Sequence, residues 1–135
     1  MKGQKPPPAG YPTEVRTLGD HLRKRRLDLG LRQKDVAKRL KVNKDTIRNW
    51  ELGRATPAVW QWPGIIRLLG YVPFGTDGGL PERLKAYRRI RGVSQKNLAG
   101  LIGVDESTLW HWERGRSRPN AQCLARLYEL LGAPL

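Results

Sequence analysis

Apolar residues recur along this chain at the spacing of helices rather than strands, with charged residues between them. Leu18, Leu22 and Leu29 lie near helical spacing, and Gly30 stops that run at the position just past a helix end. A second helix is expected from about Gln33 to Leu40, with Val36, Ala37 and Leu40 facing inward. After a break at Lys41-Val42, Asn43 is placed to cap a third helix, which runs to about Glu51 and buries Ile47 and Trp50. Gly53 ends it. A loop reaching Pro57 then precedes one or two more helices that bury Ile65, Leu68 and Leu69. The same order of events follows further on. Ser94 caps a helix, Gly103-Val104 breaks it, and Asp105 caps the next, which buries Leu109 and Trp112 and ends at Gly115. After Pro119 a last helix buries Leu124, Leu127, Leu130 and Leu131.

The recurrence is a repeat with a fixed offset of 62 residues. Gln33 returns as Gln95, and Trp50-Glu51-Leu52-Gly53-Arg54 as Trp112-Glu113-Arg114-Gly115-Arg116. Leu22 pairs with Leu84, Arg26 with Arg88, Gly30 with Gly92, Ala37 with Ala99 and Pro57 with Pro119. The register closes on Leu68-Leu69-Gly70 against Leu130-Leu131-Gly132 without an insertion. Two copies are too few for a solenoid, so one helical unit built twice implies an all-α chain of two tandem domains. The expected organisation is a Pro-rich basic arm over 1–17, domains over 18–70 and 80–135, and a linker of breakers over 71–79. A repeat of about 55 residues buries only about 60% of its unfolded surface and is viable but marginal alone.

Charge narrows the partner. The chain has 135 residues, 26 Lys+Arg and 12 Asp+Glu, for a formal net charge of +14. A balance this basic points to an anionic polymer, nucleic acid or an anionic membrane surface. Residues 1–75 hold 16 basic and 6 acidic side chains; residues 76–135 hold 10 and 6. A single cysteine, Cys123, excludes an internal disulfide and suits a reducing compartment. The opening residues lack the apolar run of a signal peptide. The most apolar stretch, Val59 to Phe74, is broken by Gln61, Pro63, Arg67 and Pro73, so no membrane span is expected.

The string Gly92-Val-Ser-Gln95, Leu98-Ala99, Gly103-Val104, Thr108-Leu109, Trp112-Glu113, Gly115 and Pro119 resembles the phage-repressor (Cro-type) helix-turn-helix domain, also called the xenobiotic-response-element family. The first copy resembles it through Gly30, Gln33, Val36-Ala37, Val42, Thr46-Ile47, Trp50-Glu51 and Gly53-Arg54. The resemblance implies two lambda-repressor-like domains of four to five short helices. It implies double-stranded DNA as the partner, with recognition helices over about 43–51 and 105–113 in the major groove. It would put Gln33 and Gln95 against phosphate or a base edge. Lys44, Asp45, Arg48 and Asn49 would read bases in the first copy, and Glu106, Ser107, Trp110 and His111 in the second. Phosphate contacts would fall to Arg32, Arg54, Arg116 and Arg118. Lys44, Arg48 and Asn49 suit guanine and adenine edges. In the second copy Glu106 could accept from cytosine N4 and Trp110 could press on a thymine methyl. The first copy is therefore the expected primary reader.

Other residues have plainer expected roles. Trp50 and Trp112 read as core by their spacing from Ile47 and Leu109. Family resemblance gives Glu51 and Glu113 structural ion pairs with Arg26 and Arg88, both repeated at the same offset. His21 and His111 lack companion ligands, so neither metal nor cofactor is expected. Cys123 reads as a half-buried hydrophobe, and Arg23, Lys24 and Arg25 as a solvated face. Trp60 aligns with Gln122 and should be exposed; Trp62 aligns with Leu124 and should be buried. No nucleophile–base pair or phosphate-cradling glycine loop marks an enzyme, and no small-molecule substrate is expected. The resulting expectation is a cytoplasmic, nucleoid-associated regulator of bacterial or phage type, reading two unlike half-sites. The rival is an antitoxin-like adaptor whose second domain binds a protein partner or a second copy of the chain, leaving DNA to the first.

Overall fold

The computed structural model describes residues 9–132, and these form eight α-helices and one 3₁₀ turn, with no strand among them. Residues 1–8 of the expected basic arm lie outside the described residues. The first repeat supplies α1 (Leu18–Asp28), α2 (Gln33–Leu40), α3 (Lys44–Glu51), the 3₁₀ turn Val59–Gln61 and α4 (Trp62–Leu69). The second supplies α5 (Leu80–Arg91), α6 (Gln95–Ile102), α7 (Glu106–Glu113) and α8 (Ala121–Leu131). By internal contacts one unit comprises the described residues up to Pro57 plus Arg67–Pro73; the other comprises Ala58–Ile66 plus the chain from Phe74 onward.

Local chemistry sets the helix starts. Thr17 caps α1 by accepting from the Asp20 amide at 3.1 Å, and Asp20 accepts from the Thr17 amide at 3.1 Å. The Arg16 and Thr17 amides also pull the Asp20 pKa below the usual carboxylate value. Asn43 and Ser94 cap α3 and α6 as their sequence positions foretold, accepting from Thr46 at 2.8 Å and Asn97 at 3.0 Å. Asp105 departs from expectation: it stands at the cap position of α7, but its side chain accepts no hydrogen bond. Gly30, Gly53 and Gly115 follow the ends of α1, α3 and α7 with positive φ, as expected.

Packing follows the apolar stripes. In the first unit Leu22, Val36, Ala37, Ile47 and Trp50 are buried. The second is built on Leu84, Leu98, Ala99, Ile102, Leu109, Trp112 and Leu127. Cys123 is half-buried, as expected. Leu29 is not core: it is the cap residue just past α1 and is 40% exposed. Gly19 sets how closely α1 meets α3, because a Cβ there would fall 2.7 Å from the Trp50 carbonyl oxygen. Trp62 is buried and Trp60 is 69% exposed, as the repeat alignment foretold.

One position is held against its own preference. Lys41 ends α2 with φ +58, whereas the equivalent residue of the second repeat, Gly103, has φ +84. A left-handed backbone costs an L-residue about 1–2 kcal/mol, partly offset in a glycine variant by greater unfolded-state entropy. Lys41→Gly should therefore raise stability by about 0.5–1 kcal/mol, read as a higher urea midpoint. A lower midpoint would show that the lysine side chain contributes more than its backbone costs.

Candidate nucleic-acid interface

In each repeat the short helix expected to read DNA is anchored from behind by a buried carboxylate. Glu51, at the end of α3, accepts from Arg26 Nε at 2.7 Å and Nη2 at 2.9 Å, and from Gln33 Nε2 at 3.3 Å. Arg23 Nε lies 3.5 Å from the same carboxylate, so it joins this cluster instead of standing on a solvated face. Glu113 accepts from Arg88 Nε at 2.6 Å, Arg88 Nη2 at 2.7 Å and Gln95 Nε2 at 3.1 Å. The fork-shaped guanidinium meets both carboxylate oxygens, a geometry lysine cannot supply. This ties the end of the third helix to the last turn of the first and the start of the second. Gln33 and Gln95 thus commit one amide hydrogen inward and keep the carbonyl oxygen and second hydrogen for a ligand.

The outward faces differ between repeats. On α3, Lys44, Asp45 and Arg48 are exposed and Asn49 is half-buried. Among the described residues, no side-chain hydrogen bond or ion pair engages Lys44, Arg48, Asn49 or Arg54. Arg32 is less free, since its Nε lies 3.2 Å from Asp35. The Arg32 amide and guanidinium together lower the Asp35 pKa. On α7, Glu106, Ser107 and His111 are exposed. Trp110 is half-buried, with the guanidinium carbons of Arg114 and Arg116 at 4.2 Å and 5.0 Å from its ring centroid. Two guanidinium groups therefore lie against its ring. Arg118 is exposed in the loop that follows.

Both repeats thus present a helix fixed at its far end and open along its outer face. A comparison with protein-family models finds the same unit twice: the helix-turn-helix domain matches residues 17–73 and 80–135. The chain belongs to the helix-turn-helix domain family. No curated protein and no solved structure matches it. The tandem helix-turn-helix reading and the all-α fold are thereby borne out, and membership points to DNA binding with regulation as its use. Among the described residues no helix is long and apolar enough to cross a membrane, and no group of three metal-ligating side chains gathers. His21 is instead 2.6 Å from the Tyr71 hydroxyl, and burial lowers its pKa.

Arg114 and Lys85 were not singled out by the helix-turn-helix pattern. The signal was present in the repeat itself. At the 62-residue offset, Arg48 and Leu52 become Trp110 and Arg114, so the cation and the apolar residue trade places one helical turn apart.

Proposed function

We propose that the chain is a sequence-specific reader of double-stranded DNA and a transcriptional regulator, organised as domains over 18–70 and 80–135 with a linker over 71–79. The start and outer face of α3 enter the major groove, where Lys44 and Arg48 meet guanine edges and Asn49 meets adenine. Arg54 and Arg32, with Arg116 and Arg118 in the second domain, hold phosphate. The observation that carries this reading is the outer face of α3. Among the described residues its Lys44, Arg48 and Asn49 side chains make no hydrogen bond or ion pair, while Glu51, at the end of the same helix, is locked in the interior. A side chain left without an internal partner beside a rigid anchor is suited to an external one.

The test separates two kinds of contact. Phosphate contacts set affinity and register, whereas base contacts set preference. Arg48→Ala in the full chain should flatten the preference at one or two positions of a randomised duplex library, a loss of about 1–3 kcal/mol in discrimination. Arg54→Ala should weaken every sequence by a similar factor. Identical profiles for the two variants would overturn this division of labour.

A further inference from the structure

The second repeat contains a basic pocket whose make-up the first does not share. It opens between α5, the first residue of α6 and the end of α7, with a volume of about 300 Å³. Its lining is Lys85, Arg88, Arg89, Gln95, Glu113 and Arg114. Four cations and one carboxylate leave three net positive charges around one cavity. Arg88 is neutralised by Glu113. Arg89 is half-buried against Trp62 and Phe74, 5.3 Å from each ring centroid. Burial and the neighbouring Arg88 lower its pKa. Among the described residues, no carboxylate pairs with Lys85 or Arg114. Cations gathered this way repel one another, and an anion among them relieves the repulsion.

The same positions 62 residues earlier are Arg23, Arg26, Leu27, Gln33, Glu51 and Leu52. Leucines stand where Arg89 and Arg114 stand, and Arg23 already reaches Glu51 at 3.5 Å. The first set has one net positive charge. The second repeat thus has two more cations in this set, and has Glu106 and Trp110 at the base-reading positions where the first has Lys44 and Arg48. Residues 110 and 114 lie four apart on one face of the chain's helical path, which places the pocket mouth beside the outer face of α7. Trp110 covers the Arg114 guanidinium at 4.2 Å, which restricts where that long side chain can swing.

We propose that this pocket seats a backbone phosphate of duplex DNA, with Lys85 and Arg114 as its charged ligands, Gln95 as a hydrogen-bond donor and Trp110 as the positioning residue for Arg114. The inference rests on the DNA-binding reading and deepens it: the second repeat grips the backbone, and the first reads the bases. It also accounts for an acidic residue, Glu106, at a position where the first repeat has a lysine.

The test uses the full chain, a duplex containing the selected site, a scrambled duplex and inorganic phosphate as a separate probe. Lys85→Ala and Arg114→Ala should each weaken both duplexes by the same factor, on the order of tenfold, and each should reduce the salt slope by about one. Trp110→Leu should act as a partial Arg114→Ala, and Trp110→Tyr should restore most of the loss, because a π face rather than bulk is required. Melting temperatures confirm that each variant is folded. Unchanged salt slopes in both alanine variants, with the wild type binding DNA, overturn the seat alone. A change in base preference on Trp110→Leu overturns the positioning role. Submillimolar binding of inorganic phosphate that Lys85→Ala abolishes, with DNA affinity unmoved, assigns the pocket to a free anion instead. A wild-type chain that binds no duplex overturns the DNA-binding reading, and the seat with it.

Discussion

Raising salt from 50 to 200 mM should cost the full chain about 10³ in duplex affinity. The estimate comes from the cations left available on each repeat. Of those assigned to phosphate, Arg32 and Arg54 stand on the first; Lys85, Arg114, Arg116 and Arg118 stand on the second. If each engages one phosphate and displaces one counterion, log affinity falls with log salt at a slope of about −5. The formal charge of +14 alone gives no such figure, since many basic residues are committed elsewhere. Arg26 and Arg88 serve the buried carboxylates, and Arg25 and Arg126 donate to the carbonyls of Leu68 and Ile102. Fluorescence anisotropy across a salt series measures the slope directly. A value shallower than about −2 would mean that most of the six never touch phosphate.

Glu51→Ala should cost the first repeat about 3 kcal/mol or more, and Glu113→Ala the same in the second. Each carboxylate is almost wholly enclosed, at 1% and 3% side-chain exposure, and its arginine partner is at 14% and 17%. Removing one member of a buried pair leaves the other charge without compensation, which costs about 3–5 kcal/mol. The arginines retain some solvent, so the lower end of that range applies. At about 0.05–0.15 kcal/mol per residue, a repeat of this size has little more stability than that to lose. The altered unit should therefore be largely unfolded while the other survives, seen as loss of amide-exchange protection over one compact unit only. Protection that persists across both would sink the idea that these pairs hold the third helix in place.

Much of this was legible from the order of residues because it depends on spacing alone. Ile47 and Trp50, or Leu109 and Trp112, fall on one helical face whatever surrounds them, and Asn43 and Ser94 satisfy backbone donors only three residues away. Where a residue had two competing uses, spacing did not choose between them. Asp105 has the cap position and the right chemistry, yet its carboxylate accepts nothing from the helix. Leu29 continues the apolar run of α1, but the helix has already ended and the side chain falls outside. Arg23 belonged by pattern to a solvated face and is drawn instead toward Glu51. Trp110 presented an aromatic face for DNA, and two arginines from the following loop took it. Long cationic side chains reach partners that no periodicity encodes, and most of the misreadings at the site share that cause.

The buried Glu–Arg–Gln clusters have a further consequence for how such a chain can change. Each is closed within its own repeat, with Glu51 bonded to Arg26 and Gln33, and Glu113 to Arg88 and Gln95. In a symmetric homodimer one codon alters both halves of a palindrome at once, so every step must be tolerated twice. Here a codon change on the outer face of α3 leaves α7 as it was. Under the proposed DNA-reading function, a new target half-site is then reachable through single steps, each keeping the old grip on the other half. The two outer faces are already unlike, with Lys44 against Glu106 and Arg48 against Trp110.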